Sequence, residues 1–91
     1  MMYDIEYTPH AIEDIKQLKK NDHKAYEKLH KLLLELIEHP KIGTGKPEML
    51  KHRYSGCYSR RISKKHRLVY QIMEETVIVL VLSVSSHYGD K

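Results

Sequence analysis

Polar and apolar residues alternate over Tyr3–Tyr7 (Tyr-Asp-Ile-Glu-Tyr), the two-residue period of a half-buried strand. From Pro9 the period lengthens. Ile12, Ile15 and Leu18 form one helical stripe. Ala25, Tyr26, Leu29, Leu32, Leu33, Leu36 and Ile37 form a second, at steps of three and four. Thr8-Pro9 starts the first helix, with Thr8 as N-cap and Pro9 where a missing N–H costs nothing. Glu13 and Asp14 lie early in it and Lys16, Lys19 and Lys20 late, as the helix dipole favours. Asn21-Asp22 breaks the pattern, and Asp22 can cap the second helix, which carries a Glu27–Lys31 pair and ends at His39-Pro40.

Beyond the loop 41–47 (Lys-Ile-Gly-Thr-Gly-Lys-Pro) the chain reads as strands: Leu50–Tyr54, Cys57–Ile62, Arg67–Met73 and Thr76–Val84. Ser55-Gly56, Ser63–His66 and Glu74-Glu75 supply the turns. Thr76–Val84 is apolar on both faces, as a central strand would be. The order β-α-α-β-β-β-β predicts an α+β fold, with two N-terminal helices packed on one side of a mostly antiparallel sheet.

A length of 91 residues bounds the chain, residues 1–91, to a single domain with one modest core. The single cysteine, Cys57, excludes an internal disulfide and a cysteine-based zinc site, and suits a reducing cytosol. No signal peptide is visible, and the longest apolar run, Val77–Leu82, is far too short to span a bilayer. A cytoplasmic protein with no membrane partner is expected.

Charge changes the picture most. Lys41 to Arg67 holds nine Lys/Arg and one acid, Glu48, so the segment carries +8; the remainder, with seven Lys/Arg and eleven acids, carries −4. Tyr54 and Tyr58 lie inside the block. Cations for phosphate beside rings able to stack on bases form the pattern of an RNA- or DNA-binding surface. The plainer alternative is a solvated basic hairpin.

RNA cleavage by the ribose 2′-OH needs a base for the hydroxyl proton, an acid for the leaving 5′-oxygen, and cations for the charge building on phosphorus. Glu48 offers the base and His87 an acid that titrates near neutrality. Lys51, Arg61 and Arg67 can hold the phosphate. Each has a simpler alternative: Glu48 as a surface ion pair, His87 as one solvated histidine among seven, Arg61 and Arg67 as partners of helix acids. His23 and His30 share a helix side without a third ligand at metal spacing, so neither metal nor cofactor is expected. Ser85-Ser86-His87 is not a triad, since sequence neighbours seldom face each other in catalytic geometry.

Several blocks of this sequence resemble, in order, the signature of the Txe/YoeB family of toxin–antitoxin ribonucleases in the RelE superfamily. They are Gly45-Lys46-Pro47-Glu48-Met49-Leu50-Lys51, Ser55-Gly56-Cys57-Tyr58-Ser59-Arg60-Arg61-Ile62, His66-Arg67-Leu68-Val69-Tyr70 and His87-Tyr88. The resemblance implies a RelE-like fold and a ribosome-dependent mRNA endoribonuclease (an mRNA interferase) that cuts translated mRNA in the A site and so inhibits translation. It implies Glu48 as general base, His87 as general acid and Arg67 as the transition-state cation. Lys51, Arg61 and Tyr88 contribute, and Lys64 and Lys65 extend the phosphate-binding surface. Glu48 could instead orient Arg61 or Arg67. Implied partners are an acidic YefM/Axe-like antitoxin, disordered when free, and the 70S ribosome with its mRNA. A toxin dimer or a toxin–antitoxin hetero-oligomer on operator DNA is the implied assembly. The rival is a non-enzymatic ParE-like toxin that binds DNA gyrase, which has no use for an acid–base pair. Three features depart from the pattern: Cys57 stands where an aromatic is expected, the stretch from Arg67 to His87 is about two residues longer, and Gly89-Asp90-Lys91 follows the His-Tyr end.

Overall fold

The computed structural model describes residues 2–51 and 55–85. The elements follow the expected order: β1 (Asp4–Tyr7), α1 (Pro9–Asn21), α2 (His23–Glu38), β2 (Glu48–Met49), β3 (Cys57–Arg61), β4 (Arg67–Met73) and β5 (Ile78–Ser85). The sheet runs β1-β5-β4-β3-β2. Among the described residues only the β1–β5 pair is parallel; the other three are antiparallel.

Both helices begin where side chains can satisfy their first free N–H groups. The Thr8 hydroxyl accepts from Ala11 N at 3.0 Å and donates to Leu82 O at 3.0 Å, so one side chain caps α1 and ties it to β5. Asp22 serves both helices: its N–H closes α1 onto Leu18 O at 2.8 Å, and its carboxylate accepts from Ala25 N at 3.2 Å to open α2. The apolar stripes then meet the sheet. Leu18, Ala25, Leu29, Leu32 and Leu36 bury against Ile62, Leu68, Tyr70, Val79, Val81 and Val84. On the solvent side of α2 Glu27 meets His23 at 3.1 Å. Among the described residues no helix is long and apolar enough to cross a membrane.

The strands differ from expectation chiefly in where the second and the last begin, and the β4–β5 pair carries a register shift. The pairing with β3 begins earlier than the expected Leu50–Tyr54, at Glu48–Met49, held opposite Ser59 and Tyr58. Leu50 adds one more bond, from its N–H to Cys57 O at 2.9 Å, and residues 52–54 lie outside the described residues. The last strand starts at Ile78, because Thr76 and Val77 belong to a turn that is longer than Glu74-Glu75. Val77 sits at φ 57, a left-handed conformation that a β-branched residue rarely adopts. There its N–H reaches Glu74 O and its carbonyl receives Asp4 N at 3.0 Å, fixing the start of β1. Finally, the β4–β5 register shifts between Val69 and Tyr70: Val69 faces Ser83 and Tyr70 faces Val81, so Leu82 is an extra residue. This bulge takes up one residue of the long stretch after Arg67.

Candidate active site

The site rests on a buried arginine. On β3 Tyr58 and Arg60, and Ile62 just after it, point toward the helices, while Cys57, Ser59 and Arg61 point to the opposite face. Arg60 is fully buried, and all five of its N–H donors are used. Its Nε donates to Tyr70 Oη at 3.1 Å. Its Nη1 donates to Glu35 Oε1 at 2.7 Å and to Thr44 O at 3.3 Å. Its Nη2 donates to the carbonyls of His39 and Ile42. Tyr70 Oη in turn donates a hydrogen bond to Pro40 O at 2.6 Å, and burial pushes its phenol pKa up, so it remains a donor. One guanidinium thereby fastens the loop 39–44 to α2 and β3. A buried charge is tolerable only when satisfied in this way.

Glu35 closes the clamp. Hydrogen bonds from the Thr44 hydroxyl and N–H, at 2.6 and 2.8 Å, together with Arg60, hold its carboxyl below the ordinary glutamate value. A lowered native pKa stabilises the fold fully above the unfolded value of about 4.3, and that stabilisation fades as pH falls through the native value. The stability gap between wild type and Glu35→Gln should therefore be widest at neutral pH and shrink below about pH 5. Denaturation midpoints measured from pH 7 to 3 check this; a gap independent of pH would refute it.

The clamp delivers the loop's end to β3. Gly45 O accepts from Arg61 N at 2.7 Å. Gly45 lies at φ 86, and a Cβ there would stand 2.7 Å from Arg61 O, so only glycine fits this approach. The chain then turns through Lys46 and Pro47 into β2, which lays Glu48 beside Ser59. Across the sheet Arg61 pairs with Arg67. Gly45, Lys46, Glu48, Ser59, Arg61 and Arg67 together line a polar cleft of about 50 Å³ on the face away from the helices. Glu48 and Arg61 are exposed; Arg67 is half-buried and donates to Ser63 O at 3.4 Å. Among the described residues no ion pair engages Glu48, Arg61 or Arg67.

The residues expected from sequence fall into three groups. Glu48, Arg61 and Arg67 converge on the cleft. Lys51, Lys64 and Lys65 do not line it; they are exposed, Lys51 just beyond β2 and the other two in the β3–β4 turn. His87 and Tyr88 lie outside the described residues. β5 ends at Ser85, the register partner of Arg67 and two positions before His87, and Val84 N is pinned to Asp14 Oδ2 at 3.0 Å.

Three expectations about the basic block are corrected. Arg60 is interior, so the nine cations are not one surface, and it is Arg60, rather than Arg61 or Arg67, that pairs with a helix acid. Lys41 is engaged by Glu74 at 2.8 Å, away from the cleft. Tyr58 is not free to stack on a base: it packs against the core, stacked on Tyr70 with centroids 5.9 Å apart. Cys57, in the position expected of an aromatic, is buried on the cleft side, and burial pushes its thiol pKa up.

Comparison with known proteins places this arrangement. The YoeB dimer from Staphylococcus aureus superposes with a TM-score of 0.83 at 37% identity, covering 97% of this chain and 100% of that one. The heterotetrameric YoeB–YefM toxin–antitoxin complex from the same organism gives 0.81 at 37% identity, with the same coverage. Toxin YoeB of Synechocystis is 37% identical over 84 residues, 92% of this chain and 95% of that protein. The mRNA interferase toxin RelE of Escherichia coli is 33% identical over 85 residues, 92% of this chain and 82% of that protein. A helix pair on a five-stranded, mostly antiparallel sheet, with a charged cleft on the open face, is thus the α+β fold of the RelE-like toxins. The profile described as the YoeB-like toxin of bacterial type II toxin-antitoxin systems matches residues 7–88. The chain belongs to that family.

Proposed function

We propose that this toxin is a ribosome-dependent endoribonuclease that cleaves translated mRNA in the A site. The observation that carries this reading is the convergence of one carboxylate, Glu48, and two guanidinium groups, Arg61 and Arg67, on a single small cleft. At about 50 Å³ the cleft is far below the roughly 300 Å³ of a small-molecule site. It suits a phosphodiester group laid across it, with the bases and the ribosome outside. Glu48 takes the 2′-OH proton, the 2′-oxygen attacks the adjacent phosphorus, and the bond to the 5′-oxygen breaks. His87 protonates that leaving oxygen. Arg67 and Arg61 hold the non-bridging oxygens as their charge grows, which supplies the electrostatic stabilisation a metal gives elsewhere. Lys51, Lys64, Lys65 and Tyr88 bind the flanking RNA.

The name of the Escherichia coli relative, mRNA interferase toxin RelE, supports the substrate class. The Staphylococcus aureus complex supports a YefM-like antitoxin as the partner that silences the toxin, within a toxin dimer or a hetero-oligomer. That antitoxin is net acidic and covers the Glu48–Arg67 face, where complementary charge both speeds association and blocks the cleft. The toxin acts in the cytoplasm, where translating ribosomes are.

The test is a translation reaction on a defined mRNA with purified toxin. The upstream fragment should end in a 2′,3′-cyclic phosphate and the downstream one begin with a 5′-hydroxyl. A 5′-phosphate on the downstream fragment would mean attack by water and would overturn the mechanism.

A further inference from the structure

We infer that Lys46 is the third cation on the scissile phosphate, a role that rests on the reading above and adds a residue to it. The motif lysine nearest Glu48 on its C-terminal side, Lys51, does not line the cleft, whereas Lys46 does, together with Glu48, Ser59, Arg61 and Arg67. Lys46 is placed there at a conformational cost. Its φ is 52, in the left-handed region that favours glycine, and the next residue is Pro47, which narrows its choices further. Gly45 in front of it is locked to the backbone of Arg61, and Pro47 behind it leads directly into β2. The bend at Lys46 therefore sets both its own position and the entry of Glu48 into the cleft. A glycine would relieve the backbone; lysine at this position trades that relief for an ammonium group at the mouth of the cleft.

The chemistry fits a point charge. Arg61 and Arg67 lie opposite each other across β3 and β4, so their planar forks approach from one wall. Lys46 comes from the loop side, next to Glu48. As the 2′-oxygen adds to phosphorus and the 5′-oxygen departs, the non-bridging oxygens gain charge, and an ammonium that keeps its proton throughout stabilises them most in the transition state. Glu48 takes the 2′-OH proton and His87 supplies the one to the leaving group, so Lys46 exchanges none.

Single-turnover cleavage on mRNA-programmed ribosomes tests the assignment with Lys46→Gly, Lys46→Asn and Lys46→Arg. Glycine and asparagine both accept a left-handed backbone, so these variants should melt no lower than wild type. Their cleavage rate at saturating toxin should fall about 10²–10³-fold. Lys46→Arg should recover most of the loss, and added small alkylammonium ions should partly restore Lys46→Gly. Lys51→Met, by contrast, should chiefly raise the toxin concentration needed. Folded Lys46→Gly or Lys46→Asn that cleaves at the wild-type rate, or that loses only affinity, overturns the assignment and leaves the nuclease reading standing. Failure of the wild type to cleave overturns both.

Discussion

Replacing His87 by alanine, or ending the chain at Ser86, should lower cleavage about 10²–10⁴-fold while leaving the fold and antitoxin binding intact. His87 follows β5 in the chain, and the core around Val79, Val81 and Val84 is built from residues that precede it. No other histidine should approach this loss: His10 and His23 lie on α1 and α2 beside Asp14 and Glu27, and His66, just before β4, faces Asp22 rather than lining the cleft. Glu48→Gln should match His87→Ala in size. Glu48 is exposed and its backbone holds β2 to β3, so the amide keeps shape and pairing and removes only the base. If Glu48 is the base, Glu48→Gln is slow at every pH and still binds ribosomes tightly. Near-normal cleavage by Glu48→Gln beside a dead His87→Ala would keep the acid, reduce Glu48 to a residue that orients Arg61 or Arg67, and move the base elsewhere. Single-turnover rates on stalled ribosomes across a pH series distinguish the two.

Arg60→Ala and Arg61→Ala should fail in opposite ways, though the residues are adjacent. Removing Arg60 leaves Glu35 and the carbonyls of His39, Ile42 and Thr44 without their shared donor. Each part-buried acceptor left without a donor costs about 1–3 kcal/mol, and several such losses are a large part of the roughly 5–15 kcal/mol that holds a small domain together. Arg60→Ala should therefore be largely unfolded at 37 °C or melt far below wild type. Arg61→Ala should melt normally, because the side chain is exposed and its structural bonds are backbone bonds, yet cleave poorly. Paired thermal denaturation and cleavage measurements check both. A well-folded Arg60→Ala would show that the loop 39–44 does not depend on the clamp.

Much of this was written in the sequence. Thr8-Pro9 and Asp22 announce both helix starts by chemistry that does not depend on tertiary context, and both caps form. The helical stripes name the core leucines because a 3.6-residue period leaves one face to bury. Glu48, Arg61 and Arg67 were legible as the single acid and two cations of a basic block. The distinction between Arg60 and Arg61 is also present in the sequence: Arg60 shares its parity with Tyr58 and with Ile62 just beyond β3, so alternation alone turns it inward. Other features left no local trace. A two-residue β2 is too short for any period, and it exists because the Arg60 clamp and Gly45 bring the chain to β3. The left-handed bend at Lys46 arises from that same docking, so in the sequence Lys46 looks no different from the other lysines of the basic block.

The parallel pairing of β1 with β5 governs when the molecule can come into being. Asp4 meets Ile78 and Tyr7 meets Val81, so the first strand has no partner until the last has been made. Such distant contacts are slow to form and arrive late in folding. As the chain leaves the ribosome, the helices can form early, but Leu29, Leu32 and Leu36 have no complete surface to cover until Val79 and Val81 emerge. The final strand is also the one that places Ser85 beside Arg67. The sheet, and with it the wall that carries Arg61 and Arg67, is therefore complete only once β5 has been made.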